Sequence, residues 1–231
     1  MKIIYGRRTE SEIKVANLIT KKIHEHLKSQ KKIILGIPGG KSVSNIFSLL
    51  KHQNIPWEKV HIFMIDERLS KTDDSKSNFK QAEKEFLEYL VKQNKIPRTN
   101  LHPYTYFNFP DEKGIQAYRN ELKEISDKYD IILLSSGEDG HVASLYPNHE
   151  SIKDQSEFFI IVKNSPKPPP KRLSASRKLL TKSKTSILLF FGESKKLAFK
   201  NFRDNYQGVY DCPAKLINLI EDSYVFTDLS T

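Results

Sequence analysis

The chain has 231 residues, of which 38% are hydrophobic and 29% are charged, and its formal net charge at pH 7 is +10. These values are typical of a globular protein with one large domain or two small ones. The apolar runs are too short to cross a bilayer, and the N-terminus has no apolar stretch of signal-peptide length. The single cysteine, Cys212, excludes an intramolecular disulfide and a cysteine-based metal motif. We therefore expect a cytoplasmic protein without a membrane partner.

The positive charge suits an anionic partner, which could be a nucleic acid, an acidic lipid or a phosphorylated metabolite. However, the lysines are scattered through the chain, and we find no zinc-finger spacing, no aromatic RNA-binding motif and no concentrated basic arm. We expect at most a nonspecific affinity for nucleic acid at low salt.

Short apolar runs alternate along the chain with stretches of helical periodicity. The predicted strands cover 2–5, 33–35, 60–65, 131–134, 158–162, 187–191 and 224–226, and the predicted helices cover 11–27, 42–50, 78–91, 115–125, 197–202 and 214–220. Ser11 is the predicted cap of the first helix. The alternation and the continuous apolar strands predict one α/β domain over 1–231, with a doubly wound, mainly parallel, Rossmann-like sheet and helices on both faces. In such folds ligands bind at the carboxyl ends of the strands.

The second predicted strand ends in a glycine-rich turn that leads into a helix. Gly39 and Gly40 can bring backbone amides close to an oxyanion, Ser42 can donate its hydroxyl, and Lys41 adds a positive charge. The spacing is one residue short of a Walker loop and does not match G-x-G-x-x-G. A phosphate cradle and an ordinary turn with a capping serine are about equally compatible with this segment.

Three further strand ends carry cations. Asp66-Glu67-Arg68 follows the third strand and can form either an ion-pair cluster or a guanidinium fork for an anion. Downstream, three consecutive prolines, 168–170, predict a rigid extended arm that carries Lys167 and delivers Arg172 to a site, although a linker or an SH3-type ligand are alternatives. Lys195, after the strand at 187–191, is either a surface lysine or a site cation.

The strand at 131–134 ends in a loop, Gly137 to His141, with two glycines, two acids and a histidine. Histidine suits proton transfer near neutral pH, and Asp139 is close enough to orient the imidazole of His141. A polar surface turn is the alternative for this loop taken alone. We expect all five loops to meet at one edge of one sheet, where their composition fits a phosphorylated small molecule and acid–base chemistry.

These motifs occur in the order found in 6-phosphogluconolactonases, and the chain resembles that family from about residue 1 to 226. The most specific segments are D-G-H-V-A-S-L-Y-P, 139–147, and S-P-K-P-P-P-K-R, 165–172. The resemblance implies metal-independent hydrolysis of 6-phospho-D-glucono-1,5-lactone in the oxidative pentose phosphate pathway, with no cofactor and with His141 as the base. The chain departs from the family pattern at Pro38 and Lys41, in the glycine-rich turn, and at Glu138, where the family usually has a small or apolar residue.

On this resemblance we expect Asp139 to orient His141, while Arg68 and Lys195 stabilise an oxyanion or hold the phosphate. The expected substrate- and phosphate-binding residues are Gly39, Gly40, Lys41, Ser42, Asp66, Lys167 and Arg172. The alternatives are an isomerase/deaminase acting on glucosamine 6-phosphate, which shares a D-G-H loop, and a noncatalytic sugar-phosphate-binding protein. We expect a monomer.

Overall fold

The computed structural model describes residues 1–70, 74–106 and 111–230. Its centre is a seven-stranded sheet in the order β1-β10-β9-β6-β2-β3-β5, and every neighbouring pair in it is parallel. The predicted parallel sheet is therefore confirmed. Its strands are β1 Lys2–Tyr5, β2 Ile33–Ile37, β3 Val60–Met64, β5 Leu101–His102, β6 Ile131–Ser135, β9 Thr185–Phe190 and β10 Asp222–Thr227.

The order of the strands reverses between β2 and β6. From β2 the chain continues outward to β3 and β5, and then returns to the other side of β2 to place β6, β9 and β10. The loops that leave β2 and β6 at their carboxyl ends consequently diverge and leave a crevice between them. In open α/β sheets this switch point is the usual place for a ligand.

Helices cover both faces of the sheet because side chains alternate between the two faces along each strand. Ile34, Ile132 and Leu188 belong to one buried cluster, whereas their neighbours Ile33 and Ile131 belong to the other. The helices are α1 Arg8–His26, α2 Ser44–Leu50, α3 Asn78–Ala82, α4 Glu88–Lys92, α5 Asp111–Ile125, α6 Glu150–Lys153, α7 Arg177–Thr181 and α8 Lys196–Arg203. A π-helical turn, Glu83–Leu87, joins α3 to α4, so the predicted helix at 78–91 is one continuous rod.

Several helix predictions need correction at their ends. The first helix begins at Arg8, so Ser11 lies buried inside its first turn and is not the cap. The second begins at Ser44 rather than at Ser42. The segment predicted as a helix at 214–220 is a 3-10 helix, Pro213–Leu219, a form that commonly serves as a short connector into the next element.

The prediction that all five loops lie at one edge of one sheet was wrong for part of the chain. The strand near 158–162 is β7 Phe159–Val162, and it belongs to a separate antiparallel sheet with β8 Arg172–Ala175 and β4 Asp66–Arg68. The polar triplet Asp66-Glu67-Arg68, predicted as a loop, is itself a strand. Its pairing places Arg68 opposite Arg172 and therefore brings two distant segments to one point.

Apolar residues of the antiparallel sheet, such as Leu173 and Phe159, pack into the same buried cluster as one face of the parallel sheet. The small sheet is thus fixed against the large one near the carboxyl ends of its strands. Within the described residues, no helix combines the length and the apolar character that a membrane span requires.

Candidate active site

A cavity of about 270 Å³ lies at the carboxyl ends of the parallel strands. The loops after β2 and β6 form its base, which places it at the switch point of the sheet. Its lining residues are Pro38, Gly39, Asp66, Arg68, Asn78, Ser135, Ser136, Gly137, Glu138, His141, Ala143, Lys167, Arg172 and Lys195. The structure therefore brings together most of the predicted site residues.

The loop that carries His141 is a closed turn. The Gly137 amide donates a hydrogen bond to the His141 carbonyl at 2.8 Å, and the Gly140 amide donates to the Gly137 carbonyl at 3.2 Å. Gly140 has a φ of +89°, which favours glycine. A Cβ atom at Gly137 would lie 2.0 Å from His141 Nδ1, so only glycine leaves room for the imidazole.

The imidazole of His141 is held by Asp139. His141 Nδ1 lies 2.6 Å from Asp139 Oδ1. Burial by itself would raise the pKa of Asp139, but the hydrogen bond and the charge interaction with His141 outweigh burial and lower that pKa to about 2. The carboxylate is therefore ionised and can only accept hydrogen bonds, which places a proton on Nδ1. In the neutral imidazole this tautomer leaves Nε2 as an acceptor.

A second contact fixes the ring plane. Tyr146 packs against His141 with ring centroids 4.7 Å apart, and its hydroxyl accepts a hydrogen bond from Ser165 at 2.9 Å. Ser165 begins the proline arm, residues 165–171, so the histidine and the arm share one support.

Asp66 joins the segments around the cavity. Its carboxylate accepts hydrogen bonds from Ser144 Oγ at 3.1 Å and from Asn78 Nδ2 at 3.3 Å, and lies 3.9 Å from Arg172 Nη1. Ser144 follows the histidine loop, Asn78 begins α3 and Arg172 begins β8. Asp66 is thus committed to protein partners, although it lines the cavity.

Glu67, the next residue, organises the start of α3. Its buried carboxylate accepts hydrogen bonds from the amides of Arg68, Asn78 and Phe79 at 2.7–2.8 Å and from Ser77 Oγ at 3.0 Å. Burial raises the pKa of Glu67, while the three amides act in the opposite direction. Ser77 caps α3, because its side chain accepts a hydrogen bond from the Lys80 amide.

The proline arm contacts the side chain of Arg172 through its backbone carbonyls, in addition to preceding it in the chain. Arg172 Nη2 donates to the Pro168 carbonyl at 2.8 Å, and Nε donates to the Pro169 carbonyl at 3.3 Å. Proline has no backbone N–H, and the guanidinium supplies hydrogen-bond donors to the carbonyls of this segment. Only 6% of Arg172 is exposed, but the residue still lines the cavity.

Two lysines complete the positive charge of the cavity. Lys195 stands at the end of a 3-10 turn, Glu193–Lys195, that follows β9, and Lys167 comes from the proline arm. Burial lowers the pKa of Lys195, and Lys167 acts in the same direction, whereas Glu138 and Asp139 oppose the shift. Two lysines and two arginines thus share one small volume, which is suited to a phosphate or a developing oxyanion.

The glycine-rich turn after β2 lines the cavity only in part. Gly39 lines the cavity, but Gly40, Lys41 and Ser42 do not. The Gly40 amide donates to Gln81 Oε1 at 2.9 Å, so it is already used. Lys41 is exposed to solvent.

Sequence reasoning also missed lining residues, of which Asn78 is the most informative. Asn78 is 1% exposed, and a Cβ at Gly39 would lie only 1.9 Å from Asn78 Oδ1, so the two residues interlock. Nothing in the sequence showed that α3 starts at the cavity. In the part of the chain that the structure describes, no three His, Cys, Asp or Glu side chains are grouped so as to hold a metal ion.

The fold and this cavity define an α/β enzyme class that places one histidine among several cations at the switch point of a parallel sheet. The chain belongs to the family described as "Glucosamine-6-phosphate isomerases/6-phosphogluconolactonase", which it matches over residues 7–226. The predicted family is therefore confirmed.

Relatives in sequence carry one of the two names of the family. The chain is 34% identical to the 6-phosphogluconolactonase of Borreliella burgdorferi over 84% of this chain and 83% of that protein. It is 31% identical to the 6-phosphogluconolactonase of Thermotoga maritima, over 78% and 79% of the two chains.

Solved structures show the same fold under both names. The chain superposes on a 6-phosphogluconolactonase from Trypanosoma brucei with a TM-score of 0.84 at 19% identity, covering 97% of this chain and 94% of the other. It superposes on a monomeric glucosamine-6-phosphate deaminase with a TM-score of 0.82 at 19% identity, covering 98% and 97%. The backbone fold therefore does not distinguish the two activities. They must be distinguished by the side chains of the site.

Proposed function

We propose that this protein hydrolyses 6-phospho-D-glucono-1,5-lactone to 6-phospho-D-gluconate in the oxidative pentose phosphate pathway. The observation that carries the proposal is the 2.6 Å contact between His141 Nδ1 and the ionised Asp139, inside a cavity lined by four cationic side chains. The names of the relatives with more than 30% identity support the same activity.

The reaction needs an activated water molecule, a stabilised tetrahedral oxyanion and a protonated leaving oxygen. In the neutral imidazole with its proton on Nδ1, His141 Nε2 takes a proton from water as the water oxygen attacks C1. The imidazolium that forms is stabilised by Asp139 and returns a proton to the ring oxygen as the C1–O bond breaks. No serine nucleophile is required.

The cations divide between the two ends of the substrate. Lys195 and Arg68 stabilise the negative charge that develops on the carbonyl oxygen. Lys167, in the proline arm, and Arg172, directly after it, bind the phosphate, and the turn at Gly39 also contributes to this binding. Asp66 acts through Arg172, Asn78 and Ser144, so its contribution is to hold the binding surface in place.

The test is a coupled assay with freshly generated lactone, comparing the wild type with His141→Asn. We expect the rate to fall by about 10²-fold or more, because general-base catalysis is lost while the fold is kept. His52→Asn is the matched control, since His52 is exposed and lies outside the cavity. Near-normal turnover in the folded His141→Asn variant would refute the proposed base.

The rival activity is tested in parallel by measuring ammonia release from glucosamine 6-phosphate. Ammonia release at a rate comparable to that of the deaminases, with no acceleration of lactone opening, would assign the site to the other branch of the family. Tight binding of glucosamine 6-phosphate without turnover of either compound would favour a noncatalytic protein.

The proposal includes a monomer that works in the cytoplasm and does not require a nucleic acid. The nucleic-acid part rests on the lysines, which are scattered along the chain rather than concentrated in one basic arm. Light scattering tests the monomer, and nucleic-acid binding that persists at about 0.3 M salt would contradict the last part.

A further inference from the structure

The reaction creates a charge that its own site is built to attract. When the lactone opens, the water oxygen bonds to C1, the C1–ring oxygen bond breaks and the ring oxygen takes up a proton. The new carboxylic acid then releases its proton at neutral pH, so C1 carries a full negative charge. The cations that stabilise the transient oxyanion would therefore also retain the product.

Glu138 is placed to oppose that retention. It lies in the turn between Gly137 and Asp139, and among the described residues that line the cavity it alone is exposed to solvent. A carboxylate at this position stands at the mouth of the cavity on the side of His141, where C1 reacts.

The carboxylate of Glu138 is also free to act on a ligand. It makes no hydrogen bond or ion pair within 4.0 Å to any residue that the structure describes, in contrast to the other lining acid, Asp66, which is held by Asn78 and Ser144. Glu138 is nevertheless close enough to Lys195 to raise its pKa, against the lowering effect of burial. The negative charge of Glu138 therefore acts on Lys195, the cation that would bind the product carboxylate.

We propose that Glu138 is a specificity-determining residue that weakens binding of the product carboxylate relative to the uncharged lactone ring, and so limits product inhibition. The inference rests on the proposed lactonase function and adds a role that lactone hydrolysis itself does not require. The phosphate is common to substrate and product, so repulsion of the phosphate cancels in the comparison. The charge that appears at C1 when the ring opens is the electrostatic difference between the two.

The test uses two phosphorylated probes, of which only one carries a negative charge at C1. The first is 6-phosphogluconate, which has the carboxylate, and the second is 1,5-anhydro-D-glucitol 6-phosphate, which keeps the ring and the phosphate but has no charge at C1. Dissociation constants for both are measured by calorimetry with the wild type and with Glu138→Gln.

We expect Glu138→Gln to bind 6-phosphogluconate about 3- to 10-fold more tightly, as removal of one like charge a few ångströms away in a hydrated cavity would give. The affinity for the anhydroglucitol phosphate should change by less than about 2-fold. In steady-state assays the inhibition constant for added 6-phosphogluconate should fall by the same factor as its dissociation constant.

Glu58→Gln is the matched control because it removes the same charge from an exposed residue at the opposite, amino-terminal edge of β3. It should leave both dissociation constants unchanged. Melting temperatures verify that both variants are folded.

Two results would overturn the inference. An equal gain in affinity for both probes would mean that Glu138 repels the phosphate in general, and no gain for either probe would mean that its charge does not reach the ligand. Failure of the wild type to bind either probe would instead reject the proposed function, and the inference with it.

Discussion

Two regions form the candidate site, and they are built in different ways. The histidine loop follows a central strand of the parallel sheet and is fixed by its own backbone, through the hydrogen bonds between Gly137, Gly140 and His141. The cationic side, with Arg68 and Arg172, belongs to a small antiparallel sheet and to the proline arm. The comparison suggests that the first region sets the rate and the second sets the affinity, and the predictions below are ordered by the size of the effect.

The largest effect is expected at the histidine loop. Gly137→Ala places a methyl group 2.0 Å from His141 Nδ1, which must displace the imidazole from Asp139. We expect kcat to fall by roughly 10²-fold or more, close to the loss of the base itself, with a smaller change in KM.

Gly208→Ala is the matched control, because its added Cβ meets nothing closer than Asp211 Oδ2 at 3.8 Å. Initial rates with freshly generated lactone make the comparison. A Gly137→Ala enzyme with normal kcat would show that the position of the imidazole does not limit the reaction.

The second effect belongs to the cationic side. Arg172→Ala removes the guanidinium that lines the cavity and also the donor to the carbonyls of Pro168 and Pro169. We expect KM to rise by about 10- to 100-fold, with kcat much less affected, because an interaction with the phosphate is the same in substrate and transition state.

Arg172→Lys separates the two contributions, since it keeps the charge but not the fork. It should recover part of the affinity. Arg98→Ala, at a side chain that is 69% exposed, serves as the control. A fall in kcat without a change in KM would contradict a role for Arg172 in phosphate binding.

The contrast between the regions also explains what the sequence could predict. The strands of the parallel sheet are continuous apolar runs such as Ile131–Ser135, which are recognisable because both of their faces are buried. The strand Asp66–Arg68 consists of charged residues, and it is buried only because it pairs with β8 and borders the cavity. The hydrophobic pattern of the sequence does not predict such a strand, because tertiary contacts determine its conformation.

The same reason applies to individual site residues. His141 and Asp139 are two positions apart in one turn, so their contact follows from short-range geometry and could be predicted. The contacts of Asp66 with Ser144 and Arg172 span 78 and 106 positions, and only the fold reveals them. For the glycine-rich turn the sequence left a phosphate cradle and an ordinary turn equally open, because the hydrogen bond from the Gly40 amide to Gln81, 41 positions away, is visible only in the fold.

A third prediction concerns the joint between the two regions. Asp66→Asn keeps the size of the side chain but removes the charge near Arg172 and one acceptor beside Ser144. Because both regions depend on this joint, we expect kcat/KM to fall by roughly 10-fold, with kcat and KM both affected, and the melting temperature to decrease.

Asp211→Asn, at an exposed aspartate outside the cavity, is the corresponding control. An Asp66→Asn variant in which only KM changes would show that Asp66 supports the cationic side alone, and the description of it as a joint would then be wrong.

The smallest effect lies away from the site, at the outer edge of the parallel sheet. His61 Nδ1 is 3.0 Å from His102 Nε2, and His102 Nδ1 is 3.2 Å from Glu121. Burial lowers the pKa of His61 to about 4, and His102 and Lys32 act in the same direction. The unfolded chain therefore binds a proton at His61 at a higher pH than the folded chain does.

The sign of the pH dependence follows from this difference. Stability from His61 is complete above its ordinary pKa of about 6.5 and is lost as the pH falls toward about 4, by at most about 3 kcal/mol. In His61→Phe the free energy of unfolding should depend less steeply on pH in this range. Turnover at pH 7.5 should stay near that of the wild type because His61 does not line the cavity. Urea unfolding from pH 7.5 to 4.5 measures the slope, with His52→Asn as the exposed control. If the free energy of unfolding depends on pH equally in His61→Phe and the wild type, another group accounts for the acid sensitivity. Protonation of His61 would then not limit the stability of the fold in acid.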